Sequence, residues 1–291
     1  MGSEMCIRDS GNPNLKSVGV PVEWTDESVT EFVKCSNNLR HFINNYVQIV
    51  HVDRGLVPFE MYDYQNDMID KFEHNRFVIC KMPRQTGKST TIIAYLLHYV
   101  LFNESTNVAV LANKKALAVE LLGRLQLAYE NLPKWLQQGV VTWNKGNLEI
   151  ENGSKIIAAA TSGSAIRGGS YNIIFLDEFA HVPSNISEQF FNSVYPTISS
   201  GETTKVLIVS TPNGMNMFYK MWVDAEEKRN SYSPIEVHWS QVPGRDEKWK
   251  QETIKNTSEH EIQQELECDF IGSANTSIGS IKSANSLVGV C

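Results

Sequence analysis

The sequence predicts an α/β domain on a mainly parallel sheet. Short β-branched runs, apolar at every position, alternate with amphipathic stretches, and two of these runs end in polar residues able to do chemistry. Buried parallel strands read this way because both faces are covered by helices. In chain order the strands are expected at 77–82 (FVICKM), 108–112 (VAVLA), 173–176 (IIFL), 206–210 (VLIVS) and 235–239 (IEVHW). Helices are expected at 88–102, 114–131, 187–198, 217–228 and, as one late charged segment, 247–267. In the second, Leu117, Leu121, Leu122, Leu125 and Ala128 recur at helical spacing and define a core face. Residues 148–160 (LEIENGSKIIAAA) place Asn-Gly between two apolar alternations, the signature of a β-hairpin.

Composition narrows the function classes. The 291 residues are 42% hydrophobic and 20% charged, which suits a folded chain and excludes a disordered one. The richest apolar stretch, 92–102, is interrupted by Tyr, His and Tyr, so no window approaches the ~18 uninterrupted apolar residues of a membrane span. A net charge of −7 argues against coating nucleic acid by bulk charge and leaves room for a local basic groove. The five cysteines form no CxxC pair, so neither a disulfide framework nor a zinc knuckle is indicated and a reducing, intracellular compartment is expected. Residues 1–10 lack the basic and apolar regions of a signal peptide and read as a non-native leader. The Ser/Gly/Ala/Asn-rich tail, 273–291, reads as a linker.

The most informative segment is 77–97, an apolar strand running into PRQTGKST and then a helix. A phosphate-binding loop needs this context: backbone N–H groups curl around phosphates and the helix N-terminus adds its positive end. The cradle would be Pro83, Arg84, Gln85, Thr86, Gly87, Lys88, Ser89 and Thr90, with Lys88 reaching the β- and γ-phosphates and Ser89 a ligand of Mg²⁺. Met82 stands where the pattern's first glycine belongs, and the plain alternative is a tight strand-to-helix turn. A second strand, 172–180 (NIIFLDEFA), ends in Asp177 and Glu178. Asp177 would hold Mg²⁺ and Glu178 would orient the attacking water, although adjacent acids can also cap a helix. Both elements end at the carboxyl edge of a sheet, where open α/β folds bind ligands, so ATP or GTP hydrolysis is the central expectation. The second carboxylate favours a motor-type ATPase over a kinase.

Three further features are weighed against plain readings. Ser210, Thr211 and Pro212 close a third strand (VLIVSTPNG) and could couple loss of the γ-phosphate to movement, or could form a simple turn. Tyr64 and Gln65 could stack on and hydrogen-bond an adenine, or start a solvated helix. Arg84, inside the loop, could stabilise transition-state charge in cis; Arg167, in TSGSAIRGGS, could do so across a subunit boundary, contact DNA phosphate or lie idle on the surface.

The ordered set YQ, PRQTGKST, SGSAIRGG, IIFLDEFA and STPNG resembles the ATPase half of the large terminase subunit of tailed bacteriophages, closest to the T4-like group. That family's loop often lacks its first glycine and carries an arginine at the Arg84 slot. The resemblance implies a RecA-like (ASCE) P-loop NTPase with a three-layer, mainly parallel sheet over 59–243. It also implies a small, mostly helical subdomain made jointly from 11–58 and 244–272, with 273–291 leading toward a nuclease domain. An Mg²⁺-dependent ATP hydrolase without nuclease activity is implied, Glu178 being catalytic, Ser210–Thr211–Pro212 coupling and Arg167 favoured over Arg84 as the finger. The implied partners are double-stranded DNA, further copies in a ring on the portal protein and the small terminase subunit, with no membrane. The implied place is the cytoplasm of an infected bacterium, transiently at the procapsid portal. The rivals are a superfamily 2 helicase-like translocase, which would need a second RecA-like domain not evident after residue 214, and a nucleotide-binding assembly module without turnover, against which Glu178 argues.

Overall fold

The structure, a computed structural model, describes residues 12–271, so the leader and tail expectations at 1–10 and 273–291 lie outside it. The chain first forms α1 (Asp26–Asn37) and α2 (Leu39–Tyr46), then a small hairpin of β1 (Gln48–His51) and β2 (Gly55–Pro58). Thr25 starts α1 through a reciprocal capping pair with Ser28, and Asn38 caps α2 through the His41 N–H. Helix α3 (Asp63–His74) leads into β3 (Phe77–Lys81) and α4 (Lys88–Phe102). There follow β4 (Asn107–Ala112), α5 (Lys115–Glu130), β5 (Val140–Trp143), β6 (Asn147–Ile150), β7 (Lys155–Ala160) and β8 (Ile173–Asp177). The remainder is α6 (Ser184–Ser200), β9 (Lys205–Ser210), α7 (Met217–Glu226), β10 (Ser233–Glu236) and α8 (Glu247–Lys255). No described helix is long and apolar enough to cross a membrane.

The main sheet has the order β10-β3-β9-β8-β4-β7-β6-β5. Six neighbouring strands, β10 to β7, run parallel, and β6 and β5 extend the sheet antiparallel. The expected hairpin is β6–β7, with Gly153 at φ 83° in its turn. Successive residues of the central strands enter opposite cores: Val78 and Cys80 pack with α3, α4 and α5, whereas Ile79 packs with α6 and α7. Val110 and Leu111, Phe175 and Leu176, and Leu207 and Ile208 divide in the same way. Burial on both faces is why these runs read as continuously apolar. The result is the expected three-layer arrangement.

Four expectations are corrected. The last strand is Ser233–Glu236 rather than 235–239; it pairs only with β3, and Pro234 is tolerated because β10 is an edge strand. Trp239 lies instead in a short 3₁₀ turn, Trp239–Gln241. The segment 247–267 is not one helix: α8 stops at Lys255, and Ser258 opens a new turn through a reciprocal capping pair with Glu261, followed by a π-type turn, Ile262–Leu266. Asn-Thr-Ser at 256–258 favours a stop and restart over a continuous ladder. Leu117 is 37% exposed, outside the core face that Leu121, Leu122, Leu125 and Ala128 form.

The two ends also do not share a core. Residues 15–59 join the α4/α5 side through Phe42, Ile43 and Phe59, with the Phe42, His98 and Phe102 rings packed mutually together. The late segment builds a separate cluster of Trp239, Ile262 and Leu266 with Trp249 against it. The N-terminal strand-like stretch is tied to the far edge of the sheet, where Gln137, 3% exposed, accepts from the Lys16 N–H at 2.9 Å and donates to Asn14 O at 3.0 Å.

Candidate functional site

Strand order creates the site. β9 lies between β3 and β8, so the loop after β3, the Ser-Thr-Pro after β9 and the Asp-Glu after β8 emerge side by side at one edge. The Met82 N–H donates to Ser210 O at 3.2 Å, extending the β3–β9 ladder beyond the last residue of β3.

Met82 is fully buried and is not among the described residues with positive φ, so the pattern's first glycine is not needed at this position. The loop's left-handed residues are Gln85 (φ 57°) and Gly87 (φ 71°). Gly87 is required twice over: it holds a left-handed conformation, and a Cβ there would lie 2.5 Å from Nε2 of Gln65. Gly87 opens α4 with no side-chain cap, leaving the first-turn N–H groups available to an anion.

Helix α3 braces this loop from behind. The Tyr64 hydroxyl donates to Thr86 O at 2.7 Å, and Gln65 Nε2 donates to the same carbonyl at 3.3 Å. Gln65 Oε1 accepts from the Tyr62 N–H at 2.9 Å. Both side chains are buried, at 4% and 2% exposure. In this arrangement both side chains hold Thr86 O from a buried position, and the adenine contacts expected of them would draw on these same groups. Thr86 closes the turn by donating Oγ1 to Pro83 O at 3.0 Å.

Lys88, 6% exposed, places Nζ 3.0 Å from Glu178 Oε1 and 3.4 Å from Pro83 O. Ser89 Oγ donates to Asp177 Oδ1 at 2.9 Å. Glu178 sits at φ 48°, a left-handed setting uncommon outside glycine, which turns its carboxylate back across the strand ends. Its Oε2 accepts from the Thr211 N–H at 3.2 Å, Thr211 Oγ1 at 3.3 Å and Ser210 Oγ at 3.3 Å. Ser210 Oγ also accepts from the Ala180 N–H at 3.0 Å, and Pro212 is buried.

The two carboxylates are driven apart in acidity. Burial, and then the neighbouring Glu178 charge, push Asp177 up to about 6. Burial works most strongly against Glu178 as well, but the Lys88 ammonium, aided by His181 and the Thr211 N–H, holds this carboxyl below the usual range. Glu178 is thus the firmly ionised member.

The two arginines differ in engagement. Arg84 is exposed, with Nε 2.7 Å from Glu265 Oε2. Arg167 is exposed on the loop after β7, anchored by the buried Ile166, and its side chain makes no hydrogen bond or ion pair with a described residue. Thr90 follows Ser89 in the first turn of α4, half-buried.

Sequence reading missed three residues. His181 stands three residues after Glu178 in a 3₁₀ turn, its Nε2 3.1 Å from Thr211 Oγ1 and 3.7 Å from Glu178 Oε2; the Glu-x-x-His spacing was its only signal. Arg245 donates to Arg84 O at 3.2 Å and Gln85 O at 2.9 Å, and Glu265 holds Arg84. Both lie far along the chain from the loop, with no local pattern announcing them.

Comparison with known proteins places this geometry in a family. The model of the N-terminal part of the T4-type terminase large subunit matches residues 79–283. Among solved structures, the HK97 bacteriophage large terminase superposes with a TM-score of 0.65 at 18% identity, covering 79% of this chain and 54% of that one. The ATPase domain of the Thermus phage P74-26 large terminase gives 0.61 at 19% identity, covering 73% and 95%. A large terminase from a thermophilic bacteriophage, solved in complex with ADP, gives 0.58 at 14% identity, covering 73% and 54%. The chain thus spans about half the length of the HK97 and ADP-bound proteins and nearly all of the P74-26 domain. With the family match running over most of its length and the RecA-like P-loop fold of terminase ATPase domains, this chain belongs to the T4-type large terminase subunits, of which it carries the N-terminal part.

Proposed function

We propose that this chain is the ATP-hydrolysing motor domain of a terminase that drives double-stranded DNA into a procapsid. The observation carrying the reading is the double meeting across α4 and β8, Lys88 with Glu178 at 3.0 Å and Ser89 with Asp177 at 2.9 Å. In this reading the N–H groups at the start of α4 and the Lys88 ammonium receive the β- and γ-phosphates. Glu178, kept ionised, accepts a hydrogen bond from the attacking water and orients it toward the γ-phosphorus. Ser210, Thr211 and Pro212 sense the change through the Glu178 carboxylate they hold. Arg167, exposed and unengaged, is the finger from a neighbouring copy, whereas Arg84 is occupied by Glu265.

The residues also suit Mg²⁺. A hydroxyl and a buried carboxylate in contact are hard oxygen donors, and Asp177, raised to about 6, forms no ion pair with a described residue. Ser89 and Asp177 would hold the ion, which when bound neutralises phosphate charge and templates the phosphate oxygens. A ring of copies on the portal, a small-subunit partner and a place in the infected cell's cytoplasm belong to the same reading. The family match disfavours the helicase alternative.

The test is steady-state ATP hydrolysis over a range of protein concentrations, with nucleotide affinity measured alongside. Glu178→Ala is expected to lower turnover by about 10²–10⁴ while retaining binding. Lys88→Ala is expected to lose binding, and Arg167→Ala to lose only the concentration-dependent rise. Binding with no turnover at any concentration would identify a non-hydrolysing assembly module. Absence of binding would overturn the nucleotide assignment itself.

A further inference from the structure

The N-terminal helices bring three metal-binding side chains together, apart from the phosphate loop. Glu31 and Cys35 stand four residues apart on α1 and so share one of its faces. Asn38, with extended backbone at φ −141°, ends α1 and caps α2, and His41 in the first turn of α2 meets that face. One carboxylate oxygen of Glu31, Cys35 Sγ and one ring nitrogen of His41 all lie within 4.8 Å of one another. His41 Nε2 is 2.8 Å from Glu31 Oε2, whereas Nδ1 faces Asn45 at 3.3 Å. Cys35 is fully buried, and its thiol makes no hydrogen bond with a described residue. Its carbonyl accepts from His98 Nε2 at 2.8 Å, which ties this turn of α1 to α4. The Glu31 and His41 side chains are each 28% exposed, so an ion can reach the buried sulfur past them.

We propose that Glu31, Cys35 and His41 form a zinc site that staples α1 to α2, with a water molecule completing a tetrahedral set. Thiolate, imidazole and carboxylate are all zinc donors, and three protein ligands plus water is a coordination zinc commonly takes. In such a set the ligand atoms stand about 3.3–3.6 Å apart, given Zn–S of about 2.3 Å and Zn–N or Zn–O of about 2.0–2.1 Å. The His41–Glu31 pair therefore opens slightly, and Cys35 closes on its partners by roughly 1 Å. Binding replaces the His41–Glu31 hydrogen bond, moves the imidazole proton to Nδ1 and expels the thiol proton to solvent. Thiolate and carboxylate together then balance the charge of the ion. Burial pushes the free thiol up to about 12, and bonds from Lys34 and then His41 hold Glu31 down to about 2, so the thiol proton is the one the metal displaces. Tyr46 steadies the carboxylate by donating its hydroxyl to Glu31 Oε2 at 3.1 Å. Lys34, 2.6 Å from Glu31 Oε1, is 55% exposed and swings into water as the ion enters.

Cobalt and zinc titrations of the metal-stripped full chain, of Cys35→Ser and of His41→Gln test the site without nucleotide. Co²⁺ is expected to give the wild type a thiolate-to-cobalt charge-transfer band and intense tetrahedral d–d absorption, both displaced by Zn²⁺. Oxygen-donor sites elsewhere give no sulfur band. Both variants are expected to lose it, and His41→Gln alters a partly exposed side chain, so its loss is readable even if Cys35→Ser folds poorly. Zinc at about one hundred times its dissociation constant is expected to shift the folding equilibrium of the wild type about a hundredfold, read as a higher urea midpoint, and to leave His41→Gln unmoved. A merely structural ion pair would change metal-free stability in the variants while zinc altered none of the three proteins. Absence of the sulfur band in the wild type, or its persistence in either variant, overturns the site.

Discussion

Gly87→Ala offers a quantitative test of how the phosphate loop is built. Gly87 has φ 71°, and an alanine there pays a left-handed backbone penalty of about 1–2 kcal/mol. Its Cβ would also lie 2.5 Å from Gln65 Nε2. Gln65 can relieve the collision only by turning away, and at 2% exposure it then gives up its bonds to Thr86 O and from the Tyr62 N–H. Those two bonds contribute about 1 kcal/mol each, so the substitution is expected to destabilise by about 3 kcal/mol in total. Urea unfolding of wild type, Gly87→Ala, Gln65→Ala and the double variant separates the parts. With Gln65 already truncated the collision disappears, so Gly87→Ala should then cost only its backbone share, a coupling of about 1–2 kcal/mol. Additivity within about 0.5 kcal/mol would refute the bracing of the loop by α3.

Other predictions concern neighbouring parts of the molecule. Burial lowers His98 from 6.5 to about 4, so between these values the unfolded chain binds the extra proton and stability is lost as pH falls, by up to about 1.4 kcal/mol per unit. His98→Gln keeps a donor for Cys35 O and removes the titration; unfolding free energies of the two proteins should therefore diverge from pH 6.5 toward 4, and parallel profiles would contradict the assignment. Lys205 Nζ donates to Phe72 O at 2.6 Å, Glu73 O at 2.9 Å and Asn75 O at 3.1 Å, capping the end of α3 from β9. Lys205→Met is expected to cost about 1–2 kcal/mol and to speed amide exchange across the last turn of α3; unchanged exchange there would show the cap to be dispensable. Thr211→Val keeps the shape but removes the hydroxyl bond to Glu178 and the contact with His181, so turnover should fall about tenfold with nucleotide affinity retained, and an unaltered rate would remove Thr211 from the coupling path.

The legible parts of the fold were those whose signal is local and strong. Buried parallel strands announce themselves because both faces must be apolar, and β3, β4, β8 and β9 fall within a residue of their expected bounds. The β6–β7 hairpin was readable from Asn152-Gly153, whose turn needs the positive φ that glycine accepts. Half-exposed elements gave weaker patterns: β5 and the β1–β2 hairpin were not anticipated, and β10 starts two residues before its expected position. Of the site, the loop, the Asp-Glu pair and the Ser-Thr-Pro were visible as residue types in the right local context. The bracing of Thr86 by Tyr64 and Gln65 was not anticipated, since a polar helix start looks alike whether it faces a base or a loop carbonyl.

The sequence by itself determined which segments bury, where the phosphate loop starts and which residues at strand ends can do chemistry, because these depend on interactions within a few residues of one another. Tertiary structure alone decided that β9 enters between β3 and β8, so that Thr211, Glu178 and Lys88 share one hydrogen-bonded cluster. It also decided that Arg84 pairs with Glu265 and that Gln85 is held by Arg245. Such partnerships join residues distant in the chain, and their energies depend on strand order and on where a late, weakly patterned segment comes to rest, neither of which any local periodicity encodes.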